Sequence, residues 1–434
     1  MPSLRLLARV PSKVRRDYLA TSLAHWLTLA SGLLLFHLVA GRAGVAGFAY
    51  YQIARGVVST VQPLAIFGMV PALHRYLPRA GRRVRVLARQ AFLLEVGALN
   101  VIGLLTIAFA DGLGRLFHIG GGAEVRAVMV MTAGNCLLTV AVAALRGSGE
   151  AGRSNLASLA GYGVLPVLAF AVTRRIDVFL ILQGAAMAAL AWWVIGQAGP
   201  RDAERLPATP KPAPPLRVLV RYGLRRTPGD IALPAMFAFP TFYVAGMSRS
   251  AAEAGYIGFT TSTITLICSI FGMLSPVLLP RLSGHADATR AAGRGFGAEL
   301  ARGLRLLPFA AATVAALISL VLVVAATPVL HWFLGAEFSG GDDVVRFGVP
   351  VAIPLAMFYA ARPSIDALRE APVTTWLLVG CLAAEIAVTV VAGLLMPPWP
   401  AALAGFGAAA ILLAACSYVA LVHAIPSPAR ISAP

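Results

Sequence analysis

The chain has 434 residues, of which 59% are hydrophobic and only 12% charged, with a formal net charge of +18 and a mean hydropathy of +0.80. A soluble domain carries about a quarter charged residues, so a soluble enzyme and a soluble nucleic-acid-binding module are both excluded. Apolar runs of about twenty residues without alternation select membrane-spanning helices over a closed barrel, because a helix satisfies its backbone within one segment.

Twelve spans are predicted, at about 19–41, 46–73, 88–110, 126–145, 154–173, 177–198, 230–247, 255–280, 306–330, 344–361, 373–396 and 400–423. The basic start and first apolar run resemble a signal peptide. Tyr18 to Ala40 is too long for an h-region, however, and another span follows directly, so the first helix is expected to be retained.

Polar residues inside spans are costly and therefore mark function. Span one carries Thr21, His25 and Thr28 at spacings of four and three. Span two carries Gln52, Arg55, Ser59 and Gln62 at spacings of three, four and three, which places all four on one helix face. A stripe of this kind lines water or a substrate path, and the alternative is a buried Arg held for structural reasons. Arg55 is the strongest of these candidates. Glu95 in span three and Glu385 in span eleven are candidate coupling carboxylates. The alternatives are an approach of Glu95 toward Arg89 and a structural ion pair for Glu385.

Between the sixth and seventh spans lies 199–229, whose LPATPKPAPP (206–215) predicts a semi-rigid linker. Leu216 to Leu224 alternates basic and apolar residues and fits a short interfacial helix. Pro234 and Pro240 are expected to interrupt span seven as a hinge. Span eight carries Thr260, Thr261, Ser262, Thr263 and Thr265 but no cation. Trp192, Trp193, Trp332, Trp376 and Trp399 sit near span ends as interfacial anchors. Cys136, Cys268, Cys381 and Cys416 lie in apolar spans without metal-ligand spacing, so no metal site is expected.

Basic residues set the orientation. Arg42, Arg115, Arg126, Arg174, Arg175, Arg249 and Arg346 fall on one side, Arg55 lies within a span, and all the other Lys and Arg fall on the opposite side. This predicts both termini inside and assigns the positive charge to loops facing anionic headgroups.

The two halves repeat. FGM (67–69) and LPR (77–79) return as FGM (271–273) and LPR (279–281), VAG (39–41) as VAG (244–246), and ALR (144–146) as ALR (367–369). A six-span repeat returns the chain to its starting side, which implies two lobes of the same orientation. The expected domains are an N-terminal six-helix lobe (1–198), the linker (199–229) and a C-terminal six-helix lobe (230–434), with the Arg55 charge on the first lobe. No GxxxxGK[ST], HExxH, GxSxG or DxD-like pair is present, so neither an enzyme nor an ATP-driven pump is expected.

The segments GVAGFAYYQIARGVVSTVQPLAIFGMVPALHRYLPR (44–79), ALRGSGEAGRSNL (144–156), VRYGLRRTPGDI (220–231), AAEAGYIGFTTSTITLICSIFGMLSPVLLPRLS (251–283), FLGAEFSGGDDVVRFGVPVAIP (333–354) and DALREAP (366–372) form an ordered set over nearly the whole chain. The set resembles the Wzx-type polysaccharide flippases of the MATE-like (MOP) superfamily. The resemblance implies an all-α integral membrane transporter of two six-helix lobes in a bacterial inner membrane, alternating between inward-open and outward-open states. The implied substrate is a polyprenyl-pyrophosphate-linked oligosaccharide for lipopolysaccharide or exopolysaccharide synthesis. Other partners would be the lipid bilayer and membrane proteins of glycan assembly.

By the same resemblance Arg55 contacts the pyrophosphate, Gln52, Ser59 and Gln62 face the sugar, and Arg225, Arg226 and Arg362 receive the substrate on the cytoplasmic side. No cofactor is expected; a proton or sodium gradient or the membrane potential supplies the energy. Three alternatives stay open: a MATE-type exporter of cationic or amphiphilic drugs, a peptidoglycan-precursor flippase, and a non-transporting scaffold of a glycan-synthesis complex.

Overall fold

The computed structural model describes residues 12–173, 175–198, 215–273, 278, 282, 296–369 and 372–425. Most of the Pro-rich linker, the second LPR and Glu370–Ala371 of DALREAP lie outside the described residues. Among the described residues, eleven helices are long and apolar enough to cross a membrane. The first, Leu19–Ile66, has 48 residues. At about 1.5 Å per residue it is roughly 72 Å long, more than twice the hydrocarbon thickness of about 30 Å. Its helix, α1 (Ser12–Ile66), is broken at Gly44, where φ 65° and ψ −171° suit only a residue without Cβ. α1 therefore holds two spans, and the expected count of twelve is recovered.

The chain divides into two compact units, Met1–Ala43 with Val61–Thr227, and Gly44–Thr60 with Pro228–Pro434. The segment 44–60, expected in the first lobe, groups with the second unit. The cation Arg55 goes with it.

In the first unit α1 ends at Ile66, and Phe67 (φ 50°) and Gly68 (φ 62°) turn the chain through the left-handed region into α2 (Met69–Tyr76). The predicted span 46–73 is thus broken within its FGM motif. The unit continues with α3 (Val84–Ala108), α4 (Ala110–Phe117), α5 (Gly122–Gly147) and α6 (Ala151–Ser158). A π-helical segment (Leu159–Val164) then leads to α7 (Leu165–Ala171), α8 (Ile176–Gly196) and α9 (Leu216–Leu224). Leu73, Ala88, Leu138, Ala144, Met187 and Leu219 meet in one core cluster, which ties α9 to the long helices. Val101, Leu104, Leu105 and Ile107 of α3 point outward. An apolar outer face is favourable only in hydrocarbon.

In the second unit α10 (Thr227–Met247) runs as one helix with Pro234 and Pro240 inside it. The expected interruption is absent. Neighbouring helices accommodate proline inside a spanning segment by re-satisfying the freed backbone groups. Then come α11 (Ala251–Gly272), α12 (Ala298–Val324) and α13 (Ala326–Phe333). A 3₁₀ stretch (Ala336–Gly341) precedes α14 (Asp342–Gly348), α15 (Ala352–Leu368), α16 (Val373–Ala392) and α17 (Pro398–Ala424). Leu317, Leu320, Val321 and Val324 of α12 are exposed apolar residues, as on α3. Cys136, Cys268 and Cys381 are buried and Cys416 is half-buried, and all four are free thiols.

Candidate functional site

In the second unit the 44–60 stretch of α1 presents Gln52, Arg55 and Ser59 on one face. The Arg55 guanidinium donates through Nη1 to Gln52 Oε1 at 3.1 Å and to Ser262 Oγ of α11 at 3.2 Å. It also lies 5.8 Å from the Tyr51 ring centroid. Gln52 is only 4% exposed. Its carbonyl faces the cation, while its Nε2 has no hydrogen-bond partner among the described residues. The approach depends on Gly258, since a Cβ there would stand 2.5 Å from Gln52 Cβ.

The hydroxyls around this cluster are largely turned inward on their own helices. Ser59 donates to Gly56 O, and Ser262 to Gly258 O at 2.7 Å. Thr260, Thr261, Thr263 and Thr265 likewise bond carbonyls one turn back. Ser262 is the residue of this row that also meets the cation, a pairing the sequence reading did not draw.

The fourth member of the stripe, Gln62, belongs to the first unit. Its amide donates to Thr139 Oγ1 at 2.7 Å, and Thr139 shares a 2.6 Å hydrogen bond with Tyr162 OH. Tyr162 sits in the π-helical segment, a conformation that is rare and concentrates at functional positions. Neither Thr139 nor Tyr162 was singled out from the sequence. The signal available there was the run of small residues around Tyr162 (Gly161, Gly163), which permits irregular helix.

Elsewhere in the first unit Asn155 bridges Arg146 and Thr21, accepting from Arg146 Nη2 at 3.0 Å and donating to Thr21 Oγ1 at 2.9 Å. His25 lies half-buried near this chain, and its Nε2 has no hydrogen-bond partner. Thr28 Oγ1 donates to Ala24 O at 2.8 Å. Arg75 and Arg226 both stack on Tyr222, at 5.0 and 5.1 Å from its centroid, whereas Arg225 is exposed. In the second unit Arg362 pairs with Asp366 at 3.6 Å, and Asp366 accepts from Thr374 Oγ1 at 2.8 Å. Arg362 is thus braced across the junction of α15 and α16.

The two carboxylates differ from their structural alternatives. Glu385 is fully buried and both its oxygens lack a hydrogen-bond partner, so no ion pair holds it among the described residues. Thr389 Oγ1, one turn on, is also without a partner. Gly405 of α17 packs directly against this turn. Glu95 is 2% exposed, its Oε1 has no partner, and no ion pair to Arg89 forms among the described residues. No group of three or more His, Cys, Asp or Glu side chains forms a metal-binding set among the described residues.

The chain has the all-α, multi-pass membrane fold of the MATE and MOP-superfamily transporters. Its fold matches an inward-facing multidrug resistance MATE family transporter of the MOP superfamily with a TM-score of 0.66 at 15% identity, over 94% of this chain and 96% of that one. It matches the lipid II flippase MurJ in an inward closed conformation with a TM-score of 0.65 at 12% identity, over 93% and 86% of the two chains. It matches MATE in complex with MaL6 with a TM-score of 0.62 at 12% identity, over 96% of each. No protein-family model matches the chain, and no curated protein does.

Proposed function

We propose that the protein is a flippase that moves a polyprenyl-pyrophosphate-linked oligosaccharide from the inner to the outer face of a bacterial inner membrane by alternating access. Both termini lie in the cytoplasm on this reading. The observation that carries it is the Gln52–Arg55–Ser262 cluster. A cation in mid-span is costly, and here it is hydrogen-bonded on two sides and stacked on an aromatic ring. Beside it the Gln52 amide has a donor with no partner among the described residues. An arginine and a spare amide donor suit a phosphate with attached hydroxyls. The likeness in fold to a lipid II flippase supports the same class of substrate.

An exporter of cationic drugs is the second reading, favoured by the MATE likeness. A cation at the polar cluster repels such a cargo. Arg226, stacked with Arg75 on Tyr222, receives the substrate. Glu385 couples transport to the proton or sodium gradient, with Glu95 as the second such carboxylate.

The test is the pool of lipid-linked oligosaccharide in cells whose only copy carries Arg55→Ala, with the membrane level of the protein checked by immunoblot. Accumulation on the cytoplasmic face at normal protein level is the expected result. Unchanged glycan and intermediate pools remove the glycolipid reading and favour the exporter or the scaffold.

A further inference from the structure

α9 has three faces that do different work. Leu219 and Gly223 are buried against the first unit. Gly223 meets the backbone at the break in span two, where a Cβ on it would collide with Phe67 O. On the outer side Arg217, Arg221 and Arg225 recur every fourth residue, which aligns them along one edge. All three are exposed, and no carboxylate pairs with them among the described residues. Leu216, Val220 and Leu224 recur at the same interval one position earlier and form a parallel apolar row. Together with Leu94 of α3 these two rows line an open, almost wholly apolar groove of about 600 Å³.

Positive loops are common at membrane surfaces, but a solvated charge run has no reason to border an apolar groove. Arg226, the next basic residue, is stacked on Tyr222, so α9 sorts its arginines between an internal and an external task. A row of cations beside a row of aliphatic side chains complements a molecule with a phosphate at one end and a hydrocarbon chain at the other. We propose that this groove holds one molecule of an anionic glycerophospholipid, its phosphate along Arg217, Arg221 and Arg225 and an acyl chain along Leu216, Val220, Leu224 and Leu94.

The site is separate from the Arg55 cluster and does not depend on the substrate being a glycolipid. Because Gly223 lies on the Phe67–Gly68 break, a lipid here also braces the point at which span two changes direction.

The test is native mass spectrometry of the full chain released from nanodiscs of phosphatidylcholine doped with phosphatidylglycerol. One retained phosphatidylglycerol per chain is expected, with phosphatidylcholine excluded. Each arginine near an anionic surface contributes roughly fivefold in affinity, so Arg221→Gln should weaken retention about fivefold and the triple Gln variant about a hundredfold. Val220→Trp keeps the charges and fills the groove, and it should also abolish stoichiometric retention. Equal retention of phosphatidylcholine, or retention by the Val220→Trp variant, overturns the proposal. Displacement by inorganic phosphate overturns it in favour of a free-anion site, and stoichiometric replacement by a polyprenyl phosphate overturns it in favour of the transported substrate.

Discussion

Arg55 and Ser262 stand 207 positions apart in the chain and share a 3.2 Å hydrogen bond, the link that makes a row of small hydroxyls on α11 part of a cationic site. A hydrogen bond to a charged group contributes about 1.5–3 kcal/mol. Ser262→Ala should therefore lower stability by about 2 kcal/mol and cut transport while leaving the charge in place. Arg55→Lys keeps the charge but loses the planar fork that reaches Gln52 and Ser262 together. Its transport should fall about tenfold at normal membrane level, and full activity in the Lys variant would mean that charge alone matters.

Gly258 governs whether that site can assemble. Gly258→Val puts a branched side chain where a single Cβ already lies 2.5 Å from Gln52 Cβ, an overpacking that costs about 1–3 kcal/mol. Unfolding of the purified protein, followed by labelling of the buried thiols of Cys136, Cys268 and Cys381, should shift down by several degrees. An unchanged midpoint rejects the close contact.

Tyr162→Phe removes the hydroxyl joined to Thr139 at 2.6 Å and preserves the ring. The expected loss is about 1 kcal/mol in stability. A larger effect on transport than on stability would give the Gln62–Thr139–Tyr162 chain a place on the substrate path; equal effects make it a brace for the π-helical segment.

Arg362 and Asp366 make a half-buried i,i+4 pair, which contributes about 0.3–0.5 kcal/mol. Arg362→Asp alone should destabilise the junction of α15 and α16, and the charge-swapped double variant should recover it. Recovery of stability without recovery of transport assigns Arg362 to the substrate; recovery of both leaves it structural.

Glu385→Gln preserves shape, and since neither carboxylate oxygen has a hydrogen-bond partner among the described residues, stability should change by less than about 0.5 kcal/mol. With Glu385 as the coupling group, transport by the variant becomes insensitive to an imposed pH gradient. Persistence of that sensitivity places coupling elsewhere.

The membrane class and the number of crossings were legible because uninterrupted apolar length is a physical requirement of spanning hydrocarbon. The pairing of Gln52 with Arg55 was legible from helical spacing alone. Their partner Ser262 was not, because nothing local in the sequence distinguishes it from Thr261 or Thr263 on the same row. The helix breaks were half legible. FGM recurs at the end of α1 and at the end of α11, yet the first copy bends through two left-handed residues, whereas the second stays helical through Gly272 and right-handed at its Met273. Short helices α4 and α13, each of 8 residues and each following a long span after one non-helical residue, are not separated in the sequence: α4 falls mostly in what reads as loop, and α13 straddles the end of the predicted span 306–330. They are too short for periodicity to reveal, although their shared position is the repeat expressed in structure. The prolines of α10 misled because their local effect is overridden by packing around a spanning helix.

The grouping of Gly44–Thr60 with Pro228–Pro434 also sets an order of events during synthesis. The segment bearing Arg55 leaves the ribosome long before α11 exists to supply Ser262. At about 5–20 residues per second, the wait is on the order of ten seconds or more. Throughout that interval a guanidinium in an apolar helix has Gln52 and Tyr51 beside it but not yet Ser262. The second unit is thus begun early, suspended, and closed only when the last third of the chain arrives, which makes the nascent first half the stage at which this protein most needs protection by the insertion machinery.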